Sequence, residues 1–211
     1  TCSFKEKEKL YTLQGSSILL AIGRKSCFDN LFDSSLNIHT EKDKILVNEN
    51  FETSIKGVYA IGDVIKGIQL AHVASAQGIV AVEKMNGLLP HLNLNIVPSC
   101  VYTDPEIAAV GINEEETKNR NLSIVVGKAL TSSNGKSVLS KDERGFIKIL
   151  FENESHVIVG AHMMCSRATD MIGELSTAIA NKLTDKDLSK AMKAHPTYNE
   201  TLTKAIENAF R

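Results

Sequence analysis

The chain carries no surplus of charge. Its 24 basic and 25 acidic residues leave a net charge of −1 over 211 residues. That balance gives no electrostatic footprint for nucleic acid or a membrane surface. No apolar run approaches the ~18 residues that a membrane-spanning helix needs. Close cysteine pairs are absent too: Cys2, Cys27, Cys100 and Cys165 are widely scattered. With no C-x-x-C there is no zinc framework and no local redox disulfide. Few, dispersed thiols suit a reduced, intracellular setting, cytoplasmic or in an organelle matrix. The six histidines, among them His39, His91 and His156, lack ligand spacing, so no metal centre is expected. The opening "TCSFKEKEKL" has neither an initiating Met nor a signal-peptide pattern and reads as the middle of a longer protein.

What is present is an ordinary globular composition, 43% hydrophobic, with enough chain for one large domain or two small ones. The first ten residues fit an exposed strand or a hairpin edge. Ile18 to Ile22 and Val58 to Ile61 are short runs, apolar on both faces, and each predicts a buried parallel strand. "KILVN" adds a further strand in the polar stretch 26–56. "LAHVASAQGIVAVEKM" has helical spacing, with Ala71, Ala74 and Gly78 forming a small-residue face, and Gly87 sits where the helix stops.

Pro90 and Pro98 bracket a polar connector that places a domain boundary near residue 96. Beyond it, strands are expected at 100–103, 107–111, 124–129, 146–151 and 157–164. Helices are expected at 114–120, 169–182, 185–190 and 199–210. A turn at "DERG" and the acidic "FENESH" suggest a hairpin. Bunched strands followed by bunched helices define an α+β domain.

The segment "AHPTYNE" admits two readings. Thr197 and Glu200 have capping-box spacing ahead of an apolar run, which accounts for both residues without any chemistry. It leaves His195 unexplained. Alternatively, Pro196 fixes the direction of His195, and Glu200 accepts from one ring nitrogen. That arrangement leaves the other nitrogen as a base. Both readings claim the same carboxylate.

Four segments in fixed order carry a resemblance: "AIGR" (21–24), "VYAIGDV" with "LAHVASAQG" (58–78), "VPSCVYTDPEIAAVG" (97–111) and "AHPTYNE" (194–200). Together they resemble the C-terminal half of the flavin-dependent pyridine nucleotide–disulfide oxidoreductases. "LAH" after "AIGD" leans toward the dihydrolipoamide dehydrogenase branch. The resemblance implies an α/β end of the nicotinamide/FAD-binding Rossmann-like region, followed by a mixed α+β dimerisation domain. Its parts would be residues 1–25, 26–96 and 97–211. It implies FAD and NAD as cofactors and a homodimer. Its partners would be lipoyl domains of 2-oxo acid dehydrogenase complexes. Asp63 matches the acceptor of the flavin's ribityl hydroxyls, Leu70, Ala71 and His72 the helix start aimed at the flavin, and Gly23 the end of a nicotinamide-domain strand. His195 and Glu200 match a His–Glu pair that serves as base for a dithiol across the dimer. Other disulfide reductases, glutathione- or mercuric-reductase-like, and a non-catalytic dimerisation module are the alternatives.

The sequence also departs from the family pattern. Lys193 stands where a first His is usual, Asn199 where a small residue is usual, and Asp104 replaces the commoner His before Pro105. No Gly-rich G-x-G-x-x-G turn and no Cys-x4-Cys pair occurs. The expectation is a C-terminal part of a longer enzyme, inactive alone.

Overall fold

Glu6 pairs with Lys9 across a loop of only Lys7 and Glu8, and both loop residues have positive φ, 46° and 66°. This backbone twist joins antiparallel strands directly. It closes the hairpin of β1 (Cys2–Glu6) and β2 (Lys9–Leu13), exposed along its length as expected of an edge. This computed structural model describes residues 1–33, 35–142 and 144–211. They divide into two units, Thr1–Gly87 and Leu88–Arg211.

The rest of the first unit is built from short pieces. β3 (Thr40–Glu41) and β4 (Lys44–Ile45) make a second small hairpin, of which β4 falls within the expected "KILVN" strand. Ile45, Ala60 and Ile65 form a small core with Phe28 and Phe51 packed against it. A 3-10 turn at Gly62–Val64 leads into α1 (Ala71–Met85), and Gly87 follows the helix with φ of +69°. The small face of α1 meets that turn. A Cβ on Gly62 would lie 3.0 Å from the Cβ of Ala74, and one on Gly78 would lie 3.2 Å from Ile61.

Two expected strands are not formed. Residues 18–22 are irregular, with Leu19 and Ile22 91% and 88% exposed. Residues 58–61 make only the isolated Glu52–Tyr59 bridge, and of the four only Ala60 is buried. Asp63 therefore follows a bridge, not a parallel strand. A run apolar on both faces needs flanking strands to complete a ladder. Among the described residues of this unit, both sheets are two-stranded hairpins and neither accepts a third strand.

The second unit holds the larger core. β5 (Ser99–Val101), β6 (Ile107–Gly111), β7 (Ile124–Leu130), β8 (Phe146–Glu152) and β9 (Ile158–Met164) form one antiparallel sheet in the order β5-β6-β9-β8-β7. β8 and β9 are the hairpin expected around "FENESH". The expected "DERG" turn includes Glu143, which lies outside the described residues.

Ile147, Ile149 and Phe151 alternate along β8 and are fully buried. That period places them on one face of the sheet, toward the helices. α2 (Glu114–Asn119) is closed by an Asn113–Glu116 capping box, α3 (Gly135–Ser140) by Asn134, and α5 (Asp185–Ser189) by a Thr184–Asp187 box. α4 (Ala168–Ala180) packs on β6 and β9, and α6 (Glu200–Glu207) on β7 and β8. α3 was not expected from sequence. Its six residues are too few to show a period.

Candidate functional site

α6 starts at Glu200, and its N-cap is Asn199, which makes no side-chain cap bond. Thr197, a candidate cap by its spacing, lies outside the helix and turns its hydroxyl back to donate to the Ala194 carbonyl at 2.7 Å. Its N–H donates to Oε2 of Glu200 at 2.9 Å, while Oε1 of the same carboxylate lies 2.8 Å from Nδ1 of His195. The two roles that compete for Glu200 in the sequence are thus divided between its two oxygens.

The Thr197 amide first, and the His195 ring second, hold the Glu200 carboxyl below its ordinary value. An ionised carboxylate only accepts hydrogen bonds, so Nδ1 carries the proton. In the neutral ring Nε2 is then the nitrogen with the lone pair. The His195 side chain is 77% exposed, so that lone pair is open to an incoming group. The arrangement suits proton transfer: an oriented imidazole with an anion behind it, which favours the imidazolium once a proton arrives.

The segment Lys193–Asn199 has no helix or strand of its own and is tied down by its neighbours. Nδ2 of Asn134, a residue 2% exposed, donates to the Thr197 carbonyl at 3.0 Å, while its Oδ1 caps α3. The Tyr198 hydroxyl donates to Asp142 at 2.7 Å. Lys193 is paired with Glu174 of α4, and Asn199 reaches the other oxygen of that carboxylate. Sequence reasoning did not find Asn134, Asp142 or Glu174 as neighbours of His195. The helix-capping pattern at Asn134 was readable, but its tie to Thr197 spans 63 residues and leaves no local signal.

A second constellation lies in the first unit. Arg24 Nη1 contacts Asp63 Oδ2 at 2.9 Å, and its Nη2 donates to the Gln69 carbonyl at 2.7 Å. Arg24 thus links Asp63 to Gln69, the residue just ahead of Leu70, Ala71 and His72. Ser26 and Lys44 both donate to the backbone carbonyl of Asp63, which fixes the turn and leaves its carboxylate 41% exposed. α1 opens with Leu70 in extended conformation, no side-chain cap and no acid in the first turn. That is the positive end of a helix dipole, with no acidic residue in its first turn. Gly23 has a φ of +113° and no atom within 4 Å of where a Cβ would stand. Its conformation, not close packing, calls for glycine.

The cysteines are free thiols. Burial, and then Glu106, push Cys165 up to about 12, and the same two causes raise Cys100. Neither is an activated nucleophile. Among the described residues no group of three or more His, Cys, Asp or Glu is placed to hold a metal ion, and no helix is long and apolar enough to cross a membrane.

Comparison with known proteins gives a consistent picture. The family profile described as "Pyridine nucleotide-disulphide oxidoreductase, dimerisation domain" matches residues 97–206, and that described as "Pyridine nucleotide-disulphide oxidoreductase" matches residues 2–78. Dihydrolipoyl dehydrogenase of Bacillus subtilis is 38% identical over 195 residues, covering 92% of this chain and 41% of the relative. Leghemoglobin reductase of Glycine max is 36% identical over 194 residues, covering 92% of this chain and 37% of the relative. The chain therefore spans about two-fifths of the length of these curated relatives. Among solved structures, LpdA of Mycobacterium tuberculosis superposes with a TM-score of 0.86 at 25% identity, over 95% of this chain and 44% of that one.

Proposed function

The chain belongs to the pyridine nucleotide-disulphide oxidoreductases, and on that premise we propose that the protein it serves is a flavoprotein that oxidises dihydrolipoamide with NAD as acceptor. The observation that carries this reading is the His195–Glu200 pair, 2.8 Å apart on a loop held from three sides.

In the proposed reaction, Nε2 of His195 takes the proton of a bound thiol. The S–H bond breaks, its electron pair stays on sulfur, and the ring becomes imidazolium against the Glu200 carboxylate. A thiolate, unlike a thiol, is the competent attacking species in disulfide exchange. Glu200 holds the ring in the Nδ1–H form before transfer and stabilises its charge after. His195 acts across a homodimer, with residues 97–206 as the dimerising part. The redox disulfide is not among the four cysteines of this chain.

The first unit fits a flavin. Asp63 offers a fixed, half-open carboxylate to the hydroxyls of a ribityl chain. The start of α1 at Leu70, Ala71 and His72 offers its positive end to an electron-rich ring. FAD, when bound, would supply the two-electron chemistry. The similarity to dihydrolipoyl dehydrogenases favours dihydrolipoamide on lipoyl domains as the dithiol.

A substrate comparison tests this reading. The intact protein is expected to reduce NAD with dihydrolipoamide at least about 100-fold faster, in kcat/KM, than it reduces glutathione disulfide with NADPH. Equal rates, or the reverse preference, would contradict it.

A further inference from the structure

An exposed ring on a free loop samples many orientations, and a proton acceptor works in only a narrow range of them. Both ends of the loop that bears His195 converge on one side chain. Glu174, in the middle of α4, pairs through Oε1 with Nζ of Lys193, and its Oε2 accepts from Nδ2 of Asn199 at 3.4 Å. Lys193 lies two residues before His195. Asn199 is the N-cap of α6 and immediately precedes Glu200.

The pair is sheltered: the Lys193 side chain is 12% exposed and that of Glu174 is 30% exposed. Solvent screens such a pair less than one on an open surface. Glu174 also lies off the buried stripe of its helix, which is Ala168, Met171, Ile172, Leu175 and Ala178. The core does not need its side chain. The loop does: the ties from Asn134 to Thr197 and from Tyr198 to Asp142 hold its C-terminal half, and neither reaches Lys193.

We propose that Glu174 is a positioning residue for His195: a single carboxylate ties Lys193 and Asn199, the two ends of the loop, to α4, and so fixes where the imidazole stands. The proposal rests on the reading of His195 as the base. Glu174 touches no reacting atom. It acts through the backbone on either side of His195, and so it should change turnover and leave substrate binding alone.

The test uses the intact protein with Lys193→Met, Glu174→Ala and the conservative Lys193→Arg. The first two are expected to lower kcat for dihydrolipoamide oxidation about tenfold with KM within about twofold of wild type. In both, amide hydrogen exchange of residues 193–199 should accelerate about tenfold while that of β8 is unchanged. Lys193→Arg should keep both near wild type. A kcat within about twofold of wild type in both loosening variants overturns the proposal. So does a fall in kcat without local loosening, or a loss of protection that spreads through β8, which would make the carboxylate merely structural. His195→Gln in the same assay separates the two levels. Wild-type turnover in that variant sinks the base reading itself, whereas an inactive His195→Gln beside fully active Lys193→Met sinks only the role of Glu174.

Discussion

Gly127 of β7 lies directly against Ala205 of α6: a Cβ at Gly127 would stand 2.0 Å from the Ala205 carbonyl oxygen. The glycine is what lets the helix that begins with Glu200 settle on the sheet. Both residues are buried and backbone blocks the space, so no flexible side chain can move aside.

Gly127→Ala should therefore force α6 off β7, at a cost of about 3 kcal/mol from overpacking. A lowered urea midpoint of the unfolding transition, with turnover reduced in the protein that remains folded, is the expected result. An unchanged midpoint would mean that α6 does not sit as described.

Acid sensitivity has a local source in the second unit. Asp187 is held well below the ordinary carboxylate range, by the Lys190 ammonium first and then by the Thr184 amide and hydroxyl. A carboxyl with a depressed pKa binds its proton more weakly in the folded state than in the unfolded one. Its stabilising effect is complete above the unfolded value of 3.8 and is lost as pH falls below it. Asp187→Asn should lower the urea midpoint at about pH 7 and narrow the gap between midpoints at about pH 6 and pH 3. An equal drop at both values would show that proton uptake there is not linked to folding.

The flavin reading turns on Asp63. Removing one hydrogen-bonding carboxylate from a ligand's hydroxyls should cost about tenfold in affinity. Asp63→Ala in the intact protein should release FAD on dilution at concentrations where wild type retains it, read by the rise in flavin fluorescence. Equal retention would leave Asp63 as a turn residue paired with Arg24.

The second unit was largely legible in the sequence, the first was not. β6 runs over Ile107–Gly111 as expected, and α2, α4 and α5 fall within two residues of expectation, as does α1 in the first unit, because their periods and capping residues are local. The apolar runs at 18–22 and 58–61 misled for the opposite reason. Apolarity reports a need for burial but cannot supply the neighbouring strands that satisfy it. At the site, His195, Glu200 and Asp63 were readable as residue types. The reading of Thr197 as a cap, one of two the segment admits, is not the one formed, because T-x-x-E spacing does not say which residue begins the helix. Glu174 and Asn134 were invisible, since they meet the loop from 19 and 63 residues away.

The central claim is that His195 accepts a thiol proton. The most direct measurement is kcat for dihydrolipoamide-dependent NAD reduction by the intact protein carrying His195→Gln, with FAD content and secondary structure checked against wild type. Loss of an oriented general base should lower it by about 100-fold or more. A rate within about threefold of wild type, in protein that is folded and flavin-loaded, would contradict the account.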